Sequence, residues 1–200
     1  MQTNTLTHHS LPVGMRRRRD ALLADSVFGM LIFVATEVMF FTALISAFVI
    51  IKAGAGVWEP PDGVRLPVLA TAGNTLILFL SGALLLGAVR CFAREGHTGR
   101  GHVLLAWATL LGEFFVVLQG YEWLRLLHYG MTMTSGIFGA CFFLLIGTHG
   151  LHAAAAVIAM MWLYVKARRN TLRLDQLQAM QIFWLFVVGI WPVLYALVYF

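Results

Sequence analysis

The chain has 200 residues, of which 60% are hydrophobic and 12% charged, and a formal net charge of +5. A soluble domain carries roughly 25% charged residues, and the mean hydropathy here is +0.82, so the composition excludes an ordinary soluble enzyme and makes the useful count one of membrane spans. The positive balance does not imply nucleic acid: basic loops beside apolar spans follow from the positive-inside rule, and the sequence has no nucleic-acid motif and no basic face with interleaved aromatics.

Residues 1–25 form a polar, basic segment with His8, His9 and the run Arg16, Arg17, Arg18 and Arg19. These arginines read as a topology anchor, and they could also hold anionic lipid headgroups. The apolar run that follows is too long for a signal peptide and lacks a cleavage site, so it reads as a retained membrane helix. This first span covers about residues 27–52. Its apolar part, residues 28–51, is interrupted by one carboxylate, Glu37. A span needs about 20 apolar residues at roughly 1.5 Å each, which puts Glu37 about 14 Å inside the helix, close to the midplane. A charge there is costly. The plainer reading is a neutral, hydrogen-bonded side chain that holds helices together. The functional reading is a proton or lipid site.

A turn-rich loop with Trp58, Pro60, Pro61 and Gly63 leads to a second span at about 66–92. Pro-Pro and Asp-Gly pairs break helices, and Trp58 is placed like an interfacial anchor. Asn74 inside this span is expected to hydrogen-bond a neighbouring helix, and Ser81, Gly82, Ala83 and Gly87 suit close helix approach. The third span, about 103–126, carries Glu113, Gln119 and Glu122. Glu122 lies about half a turn around the helix from Glu113, whereas Gln119 and Glu122 share a face. The fourth span, about 135–165, has His149 and His152 three apart near its middle. The fifth, about 180–200, is rich in aromatics and contains Pro192, which favours a kink.

The fold expected is therefore all-α, an integral membrane bundle of five transmembrane helices in residues 26–200. Four basic residues precede the first span. Arg90, Arg94 and Arg100 follow the second, and Lys166, Arg168, Arg169 and Arg173 follow the fourth. The opposite side has Lys52, Arg65 and Arg125. This bias puts the N-terminus inside and the C-terminus outside. Glu37, Glu113, His149 and His152 then fall at middle depths and Glu122 nearer the outer surface.

Two histidines at i, i+3 share a helix face and could bind a metal. The sequence "HGLH" lacks the glutamate of a zinc-protease helix, and no Glu-x-x-His pair of the di-iron type appears. No nucleophile triad, phosphate loop or dinucleotide fingerprint is present either. The chain is thus expected to bind no metal or haem. His149 and Glu122 are expected to be polar contacts between the third and fourth spans. Cys91 and Cys141 lie at different depths, so no disulfide is expected. No Lys or Arg lies at the depth of Glu37, which leaves the histidines as its only candidate partners. Burial then favours a protonated Glu37.

Four motifs in order resemble subunit III of the haem-copper oxidases, the cytochrome c and quinol oxidases. "GMLIFVATEVMFFTALISAF" is similar to the family's glutamate helix, with Glu37 at the glutamate. "WEPPDG" and "LATAGNTLILFLSG" match its Trp-Pro-Pro loop and Asn-Thr helix at Trp58, Pro60, Pro61, Asn74 and Thr75. "LQGYEW" matches its Gln-x-x-Glu-aromatic motif at Gln119 and Glu122. "GACFFLLIGTHGLH" matches its Gly-x-His-Gly-x-His motif at His149, Gly150 and His152. The resemblance runs from about Gly29 to the end of the chain, in the shorter five-helix bacterial form. It implies a multi-pass subunit of the bacterial cytoplasmic membrane without redox centres. Haem and copper are expected in the partner catalytic subunit I, and other membrane subunits and bound phospholipid are expected as further partners. It also implies a role in proton uptake and sustained turnover.

Two departures stand out. Leu185 and Val188 occupy the places of a His and an Asp in the family's last helix, and Glu113 is an ionisable residue that the family pattern does not place there. Together they suggest a rewired polar core. Related five-helix proteins accompany nitric oxide reductases, so an accessory subunit beside a nitric oxide reductase large subunit is the second reading. A small proton channel or transporter using Glu37, Glu113 and the histidines is the third. Against the third, no inverted repeat and no half-helix breaks are apparent.

Overall fold

The computed structural model describes residues 13–56, 58 and 68–199, with side chains from residue 25 onward except Thr98. Pro60, Pro61, Gly63, His8 and His9 fall outside the described residues, as do the side chains of Arg16, Arg17, Arg18 and Arg19. The described chain is all-α. Its helices are α1 (Val13–Gly54), α2 (Val68–Glu95), α3 (Gly101–His128), α4 (Ile137–Arg168) and α5 (Leu174–Tyr199), with a 3-10 turn at Gly96–Thr98. All five are long and apolar enough to cross a membrane.

Several helix ends lie beyond the apolar cores, for local reasons. The basic run that contains the four arginines is continuous with α1, because nothing between Met15 and Phe28 is Gly or Pro and arginine, alanine and leucine are good helix formers. Helix α5 starts at Leu174, ahead of its apolar stretch. Its first turn holds Asp175, and a negative charge suits a helix N-terminus. This carboxylate is buried, accepts two bonds from the Arg173 guanidinium at 3.0 and 2.8 Å, and accepts a third from Ser26 Oγ of α1 at 3.1 Å. Helix α3 ends in a left-handed turn at Gly130, φ +88°, with Met131 N–H donating to the Leu126 carbonyl. Helix α4 ends in the same way at Asn170, φ +54°, with Thr171 N–H donating to Lys166.

Helices α2 and α3 form a tight antiparallel pair, and α5 lies across α1, α2 and α4. Small residues permit this closeness: a Cβ on Gly112 of α3 would lie 3.0 Å from the Trp184 ring of α5. In an apolar medium each buried donor needs an internal acceptor, and α2 accepts from α5 and donates to α3. Trp184 Nε1 donates to Ser81 Oγ (3.2 Å), which donates to the Ala108 carbonyl of α3 (2.7 Å). Trp191 Nε1 donates to Thr75 Oγ1 (2.9 Å), and Asn74 Nδ2 donates to the Phe115 carbonyl (3.1 Å). The interhelical bond expected of Asn74 is thus present. Helix α1 is peripheral. It meets α5 through Phe33 on Phe183 and Phe41 on Phe186, while Phe28, Ile32, Met39 and Ile50 remain exposed.

Candidate functional site

Glu37 of α1 and His152 of α4 meet across the gap between their helices. Glu37 Oε2 lies 2.9 Å from His152 Nε2, and His152 Nδ1 lies 2.8 Å from the Thr148 carbonyl one turn back. The fully buried Phe41 packs edge-on against the imidazole at 5.3 Å. The two side chains retain 15% and 18% exposure, so the pair sits just inside the bundle surface rather than in its centre.

The geometry fixes the proton count. A carbonyl can only accept, so Nδ1 must carry a proton. If the imidazole is neutral, Nε2 bears a lone pair and Glu37 must donate to it. If Glu37 is ionised, both ring nitrogens are protonated. Either way the pair as a whole is neutral and holds one proton between Glu37 Oε2 and His152 Nε2.

The other polar residues are placed differently. His149, three before His152, is 1% exposed. Its ring stacks on Trp191 at 5.0 Å, and neither ring nitrogen has a hydrogen-bond partner. The structure therefore does not join His149 to Glu122, because His149 faces α5 while Glu122 is half-buried farther along α3. Gln119 is buried near α4. Glu113 is exposed, which corrects the expectation of a buried glutamate. Its neighbours Gly112 and Phe115 are buried, so the inward face of α3 passes it by and it points out with Phe114 and Val117. Leu185 and Val188 fill the places of the family's His and Asp by packing on Gly82 of α2. The core at that point is apolar rather than rewired with a new charge.

Sequence reasoning missed the Asp175 cluster and the two tryptophan bonds. A carboxylate just before an apolar run, two residues after an arginine, was the available signal for the first. A Ser and a Thr in the second span, facing a span with two tryptophans, was the signal for the others. Cys91 and Cys141 are free. Among the described residues no three His, Cys, Asp or Glu side chains come together in a way that could hold a metal ion.

Five apolar helices joined by interhelical hydrogen bonds define a multi-pass membrane protein. The chain belongs to the cytochrome c oxidase subunit III family, whose model matches residues 6–200. It is 32% identical over 178 residues to a probable cytochrome c oxidase subunit 3 of Nocardia farcinica, covering 86% of each chain. It is 32% identical over 180 residues to one from Mycobacterium leprae, again with 86% of each covered. The cytochrome c oxidase subunit 3 of Thermostichus vulcanus is 30% identical over 179 residues, with the same coverage. The protein is accordingly a non-catalytic subunit of a haem-copper oxidase, an oxidoreductase complex of the respiratory chain, and it associates with other oxidase subunits.

Proposed function

We propose that this subunit packs on catalytic subunit I in the bacterial cytoplasmic membrane, with its N-terminus inside and its C-terminus outside. It holds phospholipid between its helices and supports proton uptake and sustained turnover through the Glu37–His152 pair. The haem and copper reside in the partner, and this chain carries no redox centre. The observation that carries the reading is the 2.9 Å contact between Glu37 and His152, which keeps one proton at middle depth near the bundle surface. Asn74, Gln119, Glu122 and His149 are membrane-embedded polar groups that support packing or lipid contact elsewhere in the bundle. Glu113, on the outside, faces lipid or a neighbouring subunit.

The distribution of basic residues supports the orientation. Arg16 to Arg19, Arg90, Arg94, Arg100, Lys166, Arg168, Arg169 and Arg173 share one side, against Lys52, Arg65 and Arg125 on the other. An Arg168→Cys variant is expected to react with a membrane-impermeant maleimide only in inside-out vesicles. Labelling confined to right-side-out vesicles would reverse the topology.

The role itself is tested by purifying the oxidase with and without this subunit and following oxygen consumption. The depleted complex is expected to start at a rate near that of the intact one, then to lose activity within successive turnovers. A depleted complex that retains haem and copper yet is inactive from the first turnover would contradict a supporting role.

A further inference from the structure

Between α3 and α4 lies a half-enclosed chamber of about 300 Å³, whose lining includes neither Glu37 nor His152. Phe115, Gln119 and Trp123 of α3, His149 of α4 and Trp191 of α5 wall it. It opens onto a shallower apolar groove of about 740 Å³ along the outer part of the same helix pair, past Val117, Tyr121, Leu124 and Phe143. The two share Gly120 and Trp123. A Cβ at Gly120 or Gly147 would meet nothing within 4 Å, so these glycines keep the space open.

The chamber collects unpaired polar atoms. Both nitrogens of His149, Trp123 Nε1 and both ends of the Gln119 carboxamide are buried without a hydrogen-bond partner. Gln119 lies beside the Tyr199 hydroxyl, yet neither makes a hydrogen bond of ordinary geometry. Buried polar groups are almost always satisfied, so this concentration of donors and acceptors suits a bound molecule. Most of the wall is apolar, which is poor company for a cluster of waters but suits a largely apolar molecule oriented by a few polar contacts. A phospholipid headgroup does not fit: His149 is twelve residues into α4, roughly 18 Å from its start. The available groups include at least three donors, namely the Trp123 indole, one imidazole N–H and the Gln119 amide. Three aromatic rings and the imidazole make the walls flat.

We propose that this chamber binds the carbonyl-bearing ring of a lipid-soluble quinone-type molecule, with its apolar tail lying in the adjoining groove. Trp123, Gln119 and His149 donate to the ring oxygens. No bond or charge changes on binding. The site is separate from the Glu37–His152 pair and does not depend on the function assigned to that pair.

The test uses the intact oxidase complex in phosphatidylcholine nanodiscs. A photoreactive azido-benzoquinone with a decyl tail is cross-linked, and the labelled peptides are identified by mass spectrometry. Label is expected on α3 and α4 around the chamber and should fall at least tenfold under excess decylubiquinone. Gly120→Leu, which fills the chamber, and His149→Leu, which removes a donor, should each cause a similar loss in complexes with a normal haem spectrum. Glu37→Gln should leave the labelling unchanged. Label that resists decylubiquinone, or that persists in an assembled Gly120→Leu or His149→Leu complex, would overturn the proposal, as would label found only elsewhere. If neither variant assembles, competition in the wild-type complex decides. A high-resolution map with only water in the chamber after soaking with decylubiquinone would also overturn it.

Discussion

Replacing Glu37 by alanine in the assembled oxidase is expected to shorten its working life several-fold, while replacing it by glutamine leaves assembly intact but removes the exchangeable proton. His152 Nδ1 is committed to the Thr148 carbonyl, so its Nε2 is left to Glu37 alone. Alanine strands that nitrogen at the edge of the bundle. Intramembrane hydrogen bonds average about 0.6 kcal/mol and reach about 1.7 kcal/mol, so the loss loosens the contact between α1 and α4 without unfolding the protein. Glutamine offers an N–H in the same place and keeps the contact, but it cannot release a proton. The two variants therefore separate packing from proton handling. A hydrophobic carbodiimide should label Glu37 in the native protein and fail with Glu37→Gln. Infrared difference spectra should show a protonated carboxyl band at neutral pH that disappears in Glu37→Gln. A carboxylate band that disappears instead would place the proton on His152 and overturn the expectation of a protonated Glu37. Equal working lives for Glu37→Gln and the native complex would remove the proton from the functional account.

The second large effect is expected at Trp191. Its side chain is fully buried, stacks on His149 at 5.0 Å, meets Phe115 edge-on at 5.3 Å, and donates to Thr75 Oγ1 at 2.9 Å. Trp191→Ala removes a large ring from the junction of α2, α3, α4 and α5. Truncations of this kind cost about 3–5 kcal/mol in well-packed interiors. Trp191→Phe keeps most of the ring volume and loses only the bond to Thr75, a cost nearer the intramembrane average of about 0.6 kcal/mol. Detergent-induced unfolding of the purified complex, followed by loss of this subunit, measures both. An alanine variant no less resistant than the phenylalanine variant would show that the junction tolerates a void.

The five helices and their apolar cores were legible because a bilayer demands long uninterrupted stretches, a constraint that hydropathy reads directly. Helix ends were less legible, since Leu174 to Ala179 is polar enough to resemble a loop. Its helical start depends on Asp175 finding Arg173 and Ser26, and one of these partners is 149 residues away. Glu37 and His152 could be singled out as costly residues at matching depths, but only tertiary structure tells which of two histidines on one helix face meets the glutamate. The histidines are three residues apart, about 60° short of a full turn. That offset turns His149 to Trp191 and leaves His152 for α1. Glu113 was misplaced because membership of a span says nothing about which side of the helix faces inward. The neighbouring Gly112, close to the Trp184 ring, held that information only in retrospect.

The peripheral position of α1 has a consequence for how the protein is made. Its main neighbour is α5, the last helix, reached through Ser26 to Asp175, Phe33 to Phe183 and Phe41 to Phe186. The end of α1 and the start of α5 are separated by 120 residues. At about 5–20 residues per second of synthesis, α1 waits roughly 6–24 s in the bilayer before the ribosome reaches its main partner. During that interval Ser26 has no Asp175, and Glu37 has no His152 until α4 is inserted. Among these five helices α1 is thus one of the last to be secured, and the arrival of α5 supplies most of the contacts that hold it.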